Sequence, residues 1–115
     1  MGNPITFSGV NGTTTTISAW YLGMIVYICG YINNISTAAN SEKIIASVEH
    51  HNVIPHPRTV IRVPGRYGQA YYNGTTCYIG VTSRDGRIDI VMTSSTNTSN
   101  VQVYFGSIVY YGSIA

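Results

Sequence analysis

Histidines, paired carboxylates and clustered aromatics are the side chains in this sequence with the chemistry to make a site. His50, His51 and His56 lie within seven residues of one another, and imidazole is a common metal ligand. Their spacing follows no standard ligand motif, and Glu49 is the only carboxylate beside them, so they are expected in a surface loop that holds no metal. Asp85 and Asp89 bracket a turn sequence. There Asp85 serves the turn and Asp89 is expected at a solvent-facing strand position, not as half of a glycosidase pair. There is no Gly-x-Ser-x-Gly and no glycine-rich loop ending in lysine. No catalytic residue and no cofactor is therefore assigned, and the chain is expected not to be an enzyme.

Carbohydrate binding suits these residues better. Aromatic rings cover the apolar face of a sugar while Asn, Gln and Arg hydrogen-bond its hydroxyls. The densest such group is Arg66, Tyr67, Gln69, Tyr71, Tyr72 and Asn73, expected in a loop between strands. Tyrosine offers a large contact area with few rotors to immobilise. Each of these rings has interface packing or the edge of the core as its alternative role, and for Trp20 the core is the preferred one.

The composition narrows the class. In 115 residues only 9% are charged, against about 25% in ordinary soluble domains, and ten are tyrosine. The net charge of +2 comes from Lys43, Arg58, Arg62, Arg66, Arg84 and Arg87, which are interspersed with the acids in no basic stripe, so no nucleic-acid partner is expected. No charged residue precedes Glu42 and none follows Asp89. The uncharged run from Ile17 to Ile32 is too short for a membrane helix, holds Gly23 and Gly30 and lacks flanking Lys or Arg, so no membrane insertion is expected. Met1-Gly2-Asn3-Pro4 has neither the basic start nor the apolar stretch of a signal peptide, which points to synthesis in a cytoplasm. The sequons at Asn11, Asn34, Asn73 and Asn97 then mark turns. Cys29 and Cys77, inside apolar runs, are expected as free thiols.

β-Branched and aromatic residues dominate between short Gly, Asn, Ser and Thr clusters, so the fold class is all-β, a sandwich of roughly seven or eight short strands. One domain is expected at 14–115, preceded at 1–13 by an N-terminal strand or a neck remnant. Trp20–Ile32 is predicted as the first main strand, with Leu22, Met24, Val26, Ile28 and Ile32 on one face and Tyr21, Ile25, Tyr27, Cys29 and Tyr31 on the other. Both faces are apolar, and in so small a domain the second calls for a neighbouring subunit. Thr59–Val63 is predicted as a strand ended by Pro64-Gly65. Thr76–Val81 and Arg87–Met92 form a hairpin around Ser83–Gly86, and Asn73-Gly74 marks a further tight turn. Thr93–Asn100 is predicted as a polar loop. In the closing strand Val101–Tyr111, Val103, Phe105 and Val109 share one face and Tyr104, Ile108 and Tyr110 the other.

The order of three segments, Tyr21–Ile32, Pro55–Pro64 and Tyr78–Ile90, with a last strand ending Val109-Tyr110-Tyr111, resembles the C-terminal head domains of bacteriophage tail-fibre and baseplate receptor-binding proteins. The resemblance spans residues 14–115. It implies an antiparallel jelly-roll-like β-sandwich assembled as a homotrimer at the tip of a phage tail, binding bacterial cell-surface glycan. It transfers no binding residue position by position. The alternatives are a non-binding structural module that trimerises or decorates a fibre or baseplate, and a stand-alone bacterial lectin.

Overall fold

The computed structural model describes residues 2–49, 53–54, 61–67 and 77–114, with backbone alone for 53–54, 61–67 and 113–114. Among these residues the chain is all-β, with eleven strands and no helix: β1 Asn3–Pro4, β2 Ser8–Gly9, β3 Thr14–Leu22, β4 Ile25–Thr37, β5 Lys43–Val48, β6 Val53–Ile54, β7 Ile61–Tyr67, β8 Cys77–Arg84, β9 Arg87–Ser94, β10 Thr98–Tyr111 and β11 Ser113–Ile114. Nine of them form one antiparallel sheet in the order β1-β3-β4-β10-β7-β8-β9-β5-β2, while β6 and β11 form a second, two-stranded sheet.

The long sheet doubles over to make a sandwich-like body. Val26, Ile28, Ile32 and Ile35 of β4 and Val101, Val103, Phe105, Ile108 and Tyr110 of β10 share one core with Ile79 and Val81 of β8, Ile88, Ile90 and Met92 of β9, and Ile45 and Ala46 of β5. The two outermost strands are consecutive in the chain. Between β1 on the edge of β3 and β2 on the edge of β5, residues 5–7 cross the open side of the core, with Ile5 and Phe7 both buried. Thr13 fastens the turn that follows, its hydroxyl donating to Ile45 O and accepting from Val10 N.

Several elements differ from their sequence-based expectations. Trp20–Ile32 is two strands, because Gly23 with φ +57° makes a two-residue turn with Met24 between β3 and β4. Positive φ at the first loop position alone is the pattern of a type II′ hairpin. Leu22 therefore faces away from the core and is 61% exposed. β7 runs through Pro64-Gly65, with Pro64 opposite Tyr78 and Gly65 opposite both Cys77 and Phe105. The polar stretch 93–100 is mostly strand. Only 95–97 separates β9 from β10, and the buried Thr98 hydroxyl meets that of Thr37 at 3.0 Å. In β10 the register slips between Phe105 and Ile108, so Gly106 and Ser107 together stand opposite Cys29. This bulge reverses the alternation, burying Ile108 and Tyr110 and exposing Val109.

The β8–β9 hairpin follows its expectation. Ile79 and Val81 stand opposite Met92 and Ile90, and all four are buried. Asp85 at φ +50° and Gly86 at φ +78° give the paired left-handed conformation of a type I′ turn. Neither Cys29 nor Cys77 forms a disulfide; Cys77 lies in the core and Cys29 on the outer face.

Candidate functional site

The outer face of β3, β4 and β10 is built by pleating alone. Cross-strand pairing sets its side chains in rows two residues apart, about 7 Å from one row to the next. Leu22 and Ile25 stand beside Tyr111 next to the β3–β4 turn, and Trp20 and Tyr27 beside Val109 form the second row. Ser18 and Cys29 face the Gly106–Ser107 bulge in the third. Thr16, Tyr31 and Tyr104 make the fourth, and Thr14 and Asn33 the fifth, where Gln102 donates its side-chain amide to Asn33.

The face is graded from apolar to polar along the strands. At the turn end Leu22 is 61%, Ile25 47%, Val109 54% and Tyr111 75% exposed, side by side in two adjoining rows. An isolated exposed Leu is ordinary, whereas four large apolar side chains in contact form the kind of patch that marks a binding surface. At the other end hydroxyls and amides take over.

Between the ends the aromatic rings are paired across strands. Trp20 stacks on Tyr27 with centroids 5.1 Å apart and planes 12° from parallel. Tyr31 meets Tyr104 at 5.0 Å with a 46° tilt. These separations lie within the range of favourable aromatic contact. The Tyr27 hydroxyl and Ser107 Oγ share a hydrogen bond of 2.7 Å, which ties the Trp20–Tyr27 pair to the bulge. All five rows fall in the charge-free stretches before Glu42 and after Asp89, and the nearest charged position in the register is Arg66, opposite Tyr104 on β7.

Gly30 holds β3 and β4 close beneath this face. Its φ of +144° belongs to glycine, and a Cβ there would collide with the backbone oxygen of Thr16. Gly106 is the opposite case. A Cβ added there meets no atom of the described residues within 4 Å.

A second polar group sits at the turn end of β8 and β9. Asp89 is 1% exposed, which corrects its expected solvent-facing position. Its carboxylate accepts from Ser47 Oγ at 2.7 Å and from Arg84 Nε at 2.9 Å. Arg87 donates to Ser47 Oγ and pairs with Glu49. The bond to Asp89, and then its negative charge, push the Arg84 guanidinium further above its already high range. With each oxygen engaged by a donor, Asp89 is a structural anchor of the β5–β9–β8 sheet.

Of the residues assigned to a glycan-binding loop, Arg66 and Tyr67 lie in β7, not in a loop, with Arg66 opposite Tyr104 and Tyr67 opposite Val103. Gln69, Tyr71, Tyr72 and Asn73 lie outside the described residues, as do His50, His51, His56 and the Asn73-Gly74 turn. Trp20 is not in the core but on the outer face, stacked on Tyr27. The sequence contains the signal for this surface in the alternation of Tyr27, Cys29 and Tyr31. Trp20 and Leu22 join that set only once Gly23-Met24 is recognised as a turn. Comparison with protein-family models, with curated proteins and with solved structures returned no match.

Proposed function

We propose that this chain is a non-enzymatic receptor-binding head of the phage tail-fibre type, a jelly-roll-like sandwich that works as a homotrimer and docks on glycan of a bacterial surface. The observation that carries this reading is the uncharged aromatic face of β3, β4 and β10, with Leu22, Ile25, Val109 and Tyr111 exposed together at one end. At about 25 cal/mol per Å², covering side chains of this size supplies several kcal/mol to association. A surface without charge has no electrostatic means of selecting a foreign protein, and it is complementary to another neutral apolar surface. A second and third copy of the chain present that surface at matching stoichiometry in a closed symmetric assembly.

The saccharide part of the reading rests on ring chemistry. Two aromatic pairs on a rigid sheet, flanked by Ser, Thr, Asn and Gln, combine flat apolar contact with neutral hydrogen-bonding groups. A single weak site on each subunit becomes an effective anchor when three act together.

Molar mass by light scattering tests the assembly, with three times the 12.5 kDa chain expected. A monomer at micromolar concentration overturns it. A glycan array tests the ligand class, with binding to bacterial-surface saccharides expected.

A further inference from the structure

The third row of the outer face is a hollow. On its turn side stand Trp20 and Tyr27, and on its far side Tyr31 and Tyr104, while its floor is Ser18, Cys29, Gly106 and Ser107. Tyr27 and Tyr31 are four residues apart on one strand, which sets the two ridges about 13 Å from each other. Allowing for the thickness of the rings, one six-membered sugar ring fits between them.

The floor is small because of how the strands are made. The bulge puts Gly106 and Ser107 where an unbroken β10 would present one larger residue, and bulges commonly redirect a side chain at a binding site. Here the redirected group is Ser107, whose hydroxyl meets that of Tyr27. Among the described residues, no atom fills the hollow above Gly106. Ser18 and Thr16 add exposed hydroxyls along β3.

We infer that this hollow is the saccharide subsite of the protein. A pyranose lies between the Trp20–Tyr27 and Tyr31–Tyr104 pairs, with its apolar edges against the rings and its hydroxyls bonded to Ser107, Tyr27, Ser18 and Thr16. The inference rests on the saccharide reading above and adds the place and the single-ring size of the site. The apolar end takes in Leu22, Ile25 and Tyr111 of the first row and Val109 of the second, so subunit contact there reaches the Trp20–Tyr27 ridge and leaves the hollow open at its Thr14 end.

Gly106 supplies the test. Its φ lies outside the left-handed region and its Cβ direction is clear, so Gly106→Trp fills the hollow without straining the fold. Ser18→Leu on the exposed side of β3 does the same from the opposite edge and serves if the first variant fails to fold. The full chain and both variants are applied to an array of neutral and acidic bacterial-surface oligosaccharides, with molar mass and thermal midpoint measured alongside. Each oligosaccharide bound by the wild type is then titrated by calorimetry into all three proteins, and against the fluorescence of Trp20, the only tryptophan of the wild type and of Ser18→Leu.

The expected result is binding of oligosaccharides with a shift in Trp20 emission of the wild type. That binding is weakened at least tenfold in a folded variant of unchanged molar mass. Wild-type binding that survives in folded Gly106→Trp and Ser18→Leu overturns the hollow as the site and leaves the saccharide reading standing. Binding to nothing on the array removes both the hollow and the saccharide reading, while the molar mass still decides the assembly.

Discussion

Ser47 and Asp89 face each other across β5 and β9, the serine Oγ donating to the buried carboxylate at 2.7 Å. Arg84 completes the arrangement from β8, so one side chain joins three neighbouring strands. Replacing Asp89 by Ala leaves the buried Ser47 hydroxyl without its acceptor and removes the ion pair of the half-exposed Arg84. The expected loss is about 2–3 kcal/mol. It is read from a lower urea midpoint at unchanged m-value, and an unaltered midpoint would show that the anchor contributes nothing.

Gly30 and Gly106 make a contrasting pair. Gly30→Ala places a methyl group against the Thr16 carbonyl at a φ that side chains rarely adopt, and is expected to cost more than about 3 kcal/mol or to prevent folding. Gly106→Ala is expected to lie within about 0.5 kcal/mol of the wild type. Denaturation of the two proteins side by side measures the difference. Equal stabilities would mean that β3 and β4 are not held as close as described.

Assembly through the turn end depends on keeping charge away from it. Leu22→Glu or Val109→Glu sets a carboxylate in the middle of the exposed apolar rows, where association would bury it unpaired. Either substitution is expected to raise the concentration for half-assembly by at least tenfold, seen by sedimentation equilibrium, with the thermal midpoint of the dissociated chain unchanged. Thr14→Glu, at the polar end, is the control and leaves assembly as it was.

Tyr110 makes stability depend on pH at the alkaline end. Burial raises its phenol well above the ordinary value of about 10, because the core disfavours the phenolate. The stability tied to the protonated phenol is complete below pH 10. It falls as pH rises further, since the unfolded chain then gives up a proton that the folded chain retains. Tyr110→Phe is expected to flatten the decline in urea midpoint between pH 10 and pH 12 relative to the wild type, and identical slopes would count against a buried Tyr110.

Much of this architecture is legible in the residues. The alternation of Ile79 and Val81 with Ile88, Ile90 and Met92 around Asp85-Gly86 specifies the β8–β9 hairpin, since the turn demands residues that accept positive φ and the alternation fixes which face is buried. What escapes direct reading are two changes of parity. Across a two-residue turn the outward set passes from even to odd numbers, from Trp20 and Leu22 to Ile25 and Tyr27, and an apolar Met24 gives no warning of it. In β10 the added residue at Gly106–Ser107 moves the buried set from Phe105 to Ile108. Alternation specifies faces only between such interruptions. Both interruptions border the aromatic surface, so the candidate site was the part least available to pattern alone. Asp89 escaped for another reason, because its burial depends on Ser47 and Arg84, brought in from other strands.

The crossing of residues 5–7 between the two margins of the long sheet sets an order of events in folding. β2 has nowhere to dock until Lys43–Val48 has taken its place beside β9, so a segment synthesised before β3 settles only after β5 and β9 have paired. Until then β3 and β5 each expose unpaired amides and carbonyls, and the nascent chain is most vulnerable to wrong strand pairing with its neighbours during that interval.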